Sequence, residues 1–174
     1  MPTALSVLSS PVASILLWAK SQVQSILGLN KGQVQLTLLE NPPHFGGDKE
    51  IFLRPLDLVP GETTDGAGRL AVTVVRPLLV TIRSRGWTDL ADVAADNWLT
   101  NPALGHLQTE EAVLSALTDI LPTDAAGNAL TVEPLHLNPS MLPEKSPNDG
   151  VDWGQSRLAF EMRYISNVDP TVLF

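Results

Sequence analysis

The chain has 174 residues, of which 44% are hydrophobic and 17% charged, with no cysteine and a formal net charge of −8. That length suits one domain with a proper core, and the lack of cysteine excludes a disulfide framework, a thiolate nucleophile and a cysteine-based zinc site. The acidic balance argues against phosphate-backbone binding, and no apolar run approaches the roughly 18–20 residues that span a bilayer.

The first residues, MPTALSVLSS, are apolar, but no basic residue precedes them as a secretory signal requires. The chain is therefore read as made and kept in a cytoplasm until a later event, with 1–10 as a tail. Ser10-Pro11 opens a helix over 11–27. Ser is a good N-cap, Pro suits the first helical position, and Gly28 is placed to end the helix. Val34 to Leu38 alternates apolar and polar, which predicts a half-buried strand near 34–39. Asn41-Pro42-Pro43 breaks it, and a short strand resumes over 50–54 with Ile51 and Leu53 on one face.

Residues 55–68 hold two Pro and three Gly and read as a long loop. The run 69–85, RLAVTVVRPLLVTIRSR, is rich in β-branched residues and has no internal turn signal. Fully extended, it would span about 55 Å. A domain of this size is about 40 Å across. Two paths are open: two strands around a bend at Pro77, or an arm that projects from the domain. Thr88 is placed to cap a short helix to about Leu99. Thr109 is placed to cap another over 109–121, with Glu110 and Glu111 in its first turn and a stop at Pro122. An irregular strand over 130–137, a Pro-rich loop over 139–154, a strand over 156–165 and a tail over 167–174 complete the chain. The expected fold is a single α+β domain over 1–174, with a mainly antiparallel or mixed sheet flanked by two or three helices and carrying a long β-ribbon.

Little in this chain points to chemistry. His44, His106 and His136 show no metal-ligand spacing, and no G-x-S-x-G elbow is present. Asp89, Asp92 and Asp96 share a helical face, which reads as a solvated, dipole-favoured acidic turn. Gly66 and Gly68 precede a strand, whereas a phosphate loop must open a helix. No catalytic, cofactor-binding or metal residue is assigned. Trp18 suits the core, and Trp87 and Trp153 border loops, where a large ring anchors either the loop or an interface.

The order of elements resembles that of the phage tail terminator family, with the related cap proteins of contractile tails and injection systems. The phrases that carry the resemblance are Asn41-Pro42-Pro43, Gly66-Ala67-Gly68-Arg69, VTIRSRGWTDLADVAADNWL over 80–99, TEEAVLSALTDIL over 109–121, and the closing Trp153 to Tyr164. It implies a small α+β subunit without catalysis. Six copies close into a ring that ends tail-tube growth and offers a surface to the neck or head. The implied partners are other copies of the chain, the tail tube protein and a neck or head-completion protein. Cofactor, membrane and nucleic-acid sequence recognition are absent from that picture. The location would be the head-proximal end of a virion tail, assembled in the host cytoplasm. Alternatives are a neck or head-completion adaptor ring and, more remotely, a small hydrolase or ligand-binding module. Four of the seven arginines, Arg69, Arg76, Arg83 and Arg85, fall on the ribbon. With Trp87 and Trp153 they are the expected subunit or tube contacts, the competing reading being that they pair with acids of their own domain.

Overall fold

The computed structural model describes residues 11–26, 29–45, 47–57, 59–66, 69–86, 105–138, 141–145 and 153–167. Helix α1 is Pro11–Gln24, and a single 3-10 turn, Lys31–Gln33, leads into β1, Val34–Leu36. Then follow β2 Lys49–Pro55, β3 Val59–Gly66, β4 Arg69–Arg85, helix α2 His106–Leu117, β5 His136–Leu137, β6 Met141–Lys145 and β7 Trp153–Asn167. The strands form one mixed sheet in the order β1-β2-β4-β7-β5, with β3 beside the far half of β4 and β6 beside the start of β7. Among the described strands only β1 and β2 run parallel. The protein is an α+β fold built on one sheet, with two helices among the described residues.

The core follows from register. Ile51 and Leu53 face Ile82 and Val80 across β2 and β4, while Val80, Leu78 and Val74 face Leu158, Phe160 and Tyr164 across β4 and β7. Period-two alternation puts all of these on one face. That face packs in a single cluster with Ile15, Ala19 and Val23 of α1 and with Val113 and Leu117 of α2. The i, i+4 spacing gives each helix one apolar stripe, so both cover the same side of the sheet. The opposite face is roofed at one end by residues 42–45. There Pro42 is buried, and Phe45 meets Phe52 edge to face at 5.3 Å.

Several sequence expectations change. The loop expected over 55–68 contains β3, which pairs antiparallel with β4 from Val59↔Val75 to Gly66↔Arg69, with a shift of register between Pro60 and Thr63. Only residues 67 and 68 separate the two strands. The turn signal therefore lay just before the ribbon, and Pro60 is tolerated because β3 is an edge strand. The 69–85 run neither breaks into two strands nor bends back at Pro77. It is one strand whose pairing with β7 is unbroken from Ala71↔Asn167 to Arg85↔Trp153. Whether side chains at its far end project falls on residues 58–72, whose side chains lie outside those described.

Pro77 fits because of where its missing N–H would point. Its carbonyl accepts from the Leu56 N–H at 2.9 Å, so the same edge of residue 77 faces the seam where β2 ends and β3 begins. No bond to β7 is lost. Pro77→Val is expected to move the thermal midpoint by no more than about 4 °C, because less than about 1 kcal/mol is at stake. A drop beyond about 10 °C in a melting curve would contradict this account.

Helix α2 begins one turn before the expected 109–121. Gly105 is its N-cap, and the buried Thr109 hydroxyl donates back to the Gly105 carbonyl at 3.0 Å from inside the helix. The helix ends at Leu117, where Thr118 leaves the helical region. Helix α1 is observed to Gln24, and the 34–39 strand stops at Leu36. Of the expected 130–137 strand only His136–Leu137 is extended ladder, preceded by an isolated Thr123↔Ala129 bridge. The 139–154 loop contains β6. The helix expected over 88–99 lies outside the described residues.

Candidate functional site

On the face away from the helices, cross-strand register lines up four polar residues over four strands. Glu50 on β2 faces Arg83 on β4, Arg83 faces Gln155 on β7, and Gln155 faces Glu144 on β6. Glu50, Arg83 and Gln155 have no exposed surface. Arg83 Nη1 donates to the Pro42 carbonyl at 2.6 Å, and its Nε donates to Gln155 Oε1 at 3.4 Å. The guanidinium lies over the Phe52 ring, 4.9 Å from the centroid. Gln155 Nε2 donates to Glu144 Oε1 at 3.0 Å.

Both Glu50 oxygens are engaged, Oε2 by His44 Nδ1 and Oε1 by the Phe45 N–H, each at 2.8 Å. The His44 ring stacks on Trp153 at 4.3 Å. Burial pushes the Arg83 guanidinium below its usual range, and the Glu50 charge opposes that shift. Arg83 Nη2 is buried without a hydrogen-bond partner. Two buried charges are tolerable only when paired and hydrogen-bonded. The row meets that condition by drawing residues 42–45 down over the sheet.

A second buried polar group lies on the helix face. His106, in the first turn of α2, sits between Ser84 of β4 at 2.6 Å and Ser156 of β7 at 3.1 Å. All three are buried. A neutral imidazole has one donor and one acceptor nitrogen, which two hydroxyls satisfy together. Burial, helped by the nearby Lys49 charge, lowers the His106 pKa to about 4. Both arrangements do structural work. An acid–base group needs a lone pair or proton that substrate can reach, and Glu50 and His106 are sealed and engaged.

The expected contact residues scatter. Arg83 has no exposed surface and donates inside its own domain to Pro42 and Gln155, beside the charge of Glu50, so its assignment as a surface contact is corrected. Trp153 is half-buried and belongs to the same cluster through His44. Alternation places Arg76 on the helix face, where it hydrogen-bonds Tyr164, while Arg83 and Arg85 occupy the opposite face. Arg85 is exposed. The Arg69 side chain and all of Trp87 lie outside the described residues. The ribbon is therefore no continuous basic surface, and β4 is an interior strand rather than an open edge.

Among the described residues, exposed apolar side chains lie on α1, where Leu17 is 61% exposed, and also near both ends of the sheet. Beside β1, Leu38 is 80% exposed and Leu39 58%, next to a shallow hollow lined by Leu16, Leu36, Thr37, Leu38 and Pro55. At the β7–β5 side, Val132 is 53% exposed and Ile165 52%. They line a groove of about 500 Å³ with Pro11, Ser14 and residues 129–131. No three His, Asp or Glu among the described residues cluster as a metal site, and no described helix is long and apolar enough to cross a membrane. Periodicity missed the His44–Glu50–Arg83 cluster, whose one sequence signal was a charged residue at position 50 between strand residues. It also missed the exposed leucines, which read as part of the strand. The functional reading rests on this geometry and on the resemblance of the sequence, since no protein-family model matches the chain and no curated protein matches it either.

Proposed function

We propose that the chain is a structural assembly subunit that closes head to tail into a ring, as the tail terminators it resembles do. In that role a ring of six would end tail-tube growth at the head-proximal end of a virion tail and receive the neck or head. The observation that carries the reading is the presence of two dissimilar apolar surfaces toward opposite ends of one sheet. A head-to-tail contact needs two different, complementary patches on each subunit. A monomer gains nothing from leaving leucines as exposed as Leu38 and Leu39. The low charged fraction, 17% against a usual ~25%, agrees with surface reserved for a neighbour.

The test is mass measurement by light scattering, with negative-stain imaging. The expected species is a ring of about 112 kDa, six copies of the 18.7 kDa chain. A virion lacking the subunit is expected to build tubes of unregulated length. Tubes of normal length that fail to join heads would favour the adaptor reading. A strict monomer, alone and with tube protein, would overturn both.

A further inference from the structure

We propose that the sheet face away from the helices, beyond the 42–45 roof, binds an acidic polypeptide segment of a partner chain. The proposal stands whether or not the subunit closes into a ring. Register places the residues that would make the contact. Arg54, Leu79 and Ala159 face one another in one row across β2, β4 and β7, and Phe52, Thr81 and Arg157 do so in the next. Alternation turns both rows to the same side. The helices pack on the other side, and the roof meets Glu50, Phe52, Arg83 and Trp153 at one end. Leu79 and Ala159, with Pro77 beside them on β4, form a half-buried apolar strip next to Arg54 and Arg157.

The positive charge of this face is poorly answered from within. Arg163, farther along β7, pairs with Glu133 at 3.2 Å and Glu161 at 2.8 Å. Arg157 meets Glu144 only loosely, at 3.9 Å. Neither Arg54 nor Arg85 makes an ion pair among the described residues, although the whole chain carries −8. Arg83 feels the excess: burial lowers its pKa, Glu50 opposes the fall, and the nearby Arg157 charge adds to it. Arg83 Nη2 is also left without a hydrogen-bond partner. A carboxylate arriving beside Arg157 would offset both guanidiniums. With strands ~4.8 Å apart and ~3.4 Å per residue, Arg54 and Arg157 stand about 12 Å apart on the sheet. The fitting segment therefore carries two carboxylates at that spacing, with an apolar residue between them to lie on Leu79. An extended chain meets this with acids four residues apart, at about 13 Å. A nucleic acid fits less well, because an apolar strip adjoins the cations and a net charge of −8 repels a polyanion.

The experiment titrates the full chain into a fluorescein-labelled peptide whose alternate residues run Glu, Leu, Glu, Leu, Glu with serine between them. Fluorescence anisotropy reads the binding. A lysine-for-glutamate version of the peptide and a short single-stranded oligonucleotide are the comparison ligands. The acidic peptide should bind with a Kd below about 1 mM, and at least about 10-fold more weakly when salt rises from about 50 to about 500 mM. Arg54→Glu and Arg157→Glu should each weaken it at least about 10-fold. Lys20→Glu on α1 changes the net charge equally but on the helix side, and should alter it less than about 2-fold. Melting curves check that each variant folds. Where Arg157→Glu lowers the midpoint, Arg157→Gln should still weaken binding about 5-fold. No binding of the acidic peptide up to about 1 mM overturns the proposal. Equal binding of the lysine peptide, tighter binding of the oligonucleotide, or an effect of Lys20→Glu as large as those of the arginine variants also overturns it. So does light scattering that shows copies held together through this face, separating on Arg54→Glu and shutting out the peptide.

Discussion

Arg83→Met is expected to cost about 3–5 kcal/mol, which lowers the thermal midpoint by roughly 6–20 °C in a chain of this size. The loss comes chiefly from what stays behind. Glu50 would remain wholly buried with its facing cation gone, and the Pro42 carbonyl would lose its donor. The Phe52 ring would also lose the guanidinium it supports. Arg83→Lys should recover little, since an ammonium cannot reproduce the fork that reaches Pro42 and Gln155 together. Adding Glu50→Gln to Arg83→Met should restore part of the stability. It removes the buried charge that has lost its facing guanidinium and still offers an acceptor to the Phe45 N–H. Arg85→Glu, at an exposed position, should change stability by less than about 0.5 kcal/mol. Urea unfolding with an unchanged slope would measure each value. A fully stable Arg83→Met protein would mean that the buried row contributes nothing.

The second large effect is a dependence on acid. His106 has a pKa of about 4 in the fold and titrates near 6.5 when exposed in the unfolded chain. Between these values the unfolded chain binds the proton and the folded one does not, so stability rises with pH across the window. The contribution is complete above about pH 6.5 and is lost as pH falls toward 4, for a total of about 3 kcal/mol. Lys49 adds to the effect, because its charge opposes a second cation nearby. His106→Gln keeps one donor and one acceptor for Ser84 and Ser156 but does not titrate. The stability of the parent relative to this variant should therefore decline by about 3 kcal/mol from pH 7 to pH 4. A difference that stays flat over that range would show that the imidazole does not enter the fold neutral.

The sequence revealed the parts of the fold in which local pattern and burial agree. Leu158, Phe160, Met162 and Tyr164 alternate in the chain and also face the helices, so β7 was visible in outline. Ile15, Ala19 and Val23 similarly marked the inner stripe of α1. Where tertiary pairing decides, the pattern misled. Pro60, Gly61 and Gly66 look like loop residues, and β3 is a strand because the far half of β4 offers it an edge. Thr109 has the chemistry of an N-cap, yet the helix starts earlier, where His106 can reach the serines of two strands. Leu38 sits on the apolar phase of an alternating run, but β1 ends at Leu36 and leaves it outside. Arg83 lies on the polar phase and is buried only because residues 42–45 fold over it. No periodicity encodes a roof made by another segment, so the candidate cluster was hidden while the strands that hold it were legible.

The fifteen-pair ladder between β4 and β7 also sets the order in which the molecule can be completed during synthesis. The two strands lie some seventy residues apart in the chain, and β7 leaves the ribosome after every other element described. Such distant pairings form slowly, and the partner strand waits with an unpaired edge. Until 153–167 emerges, Arg83 lacks Gln155, His106 lacks Ser156, and the groove lacks Ile165. A nascent chain could thus present the exposed Leu38 and Leu39 while the groove beside Ile165 is still unfinished. The buried row and the contacts of His106 are therefore completed only when β7, the last described strand, takes its place.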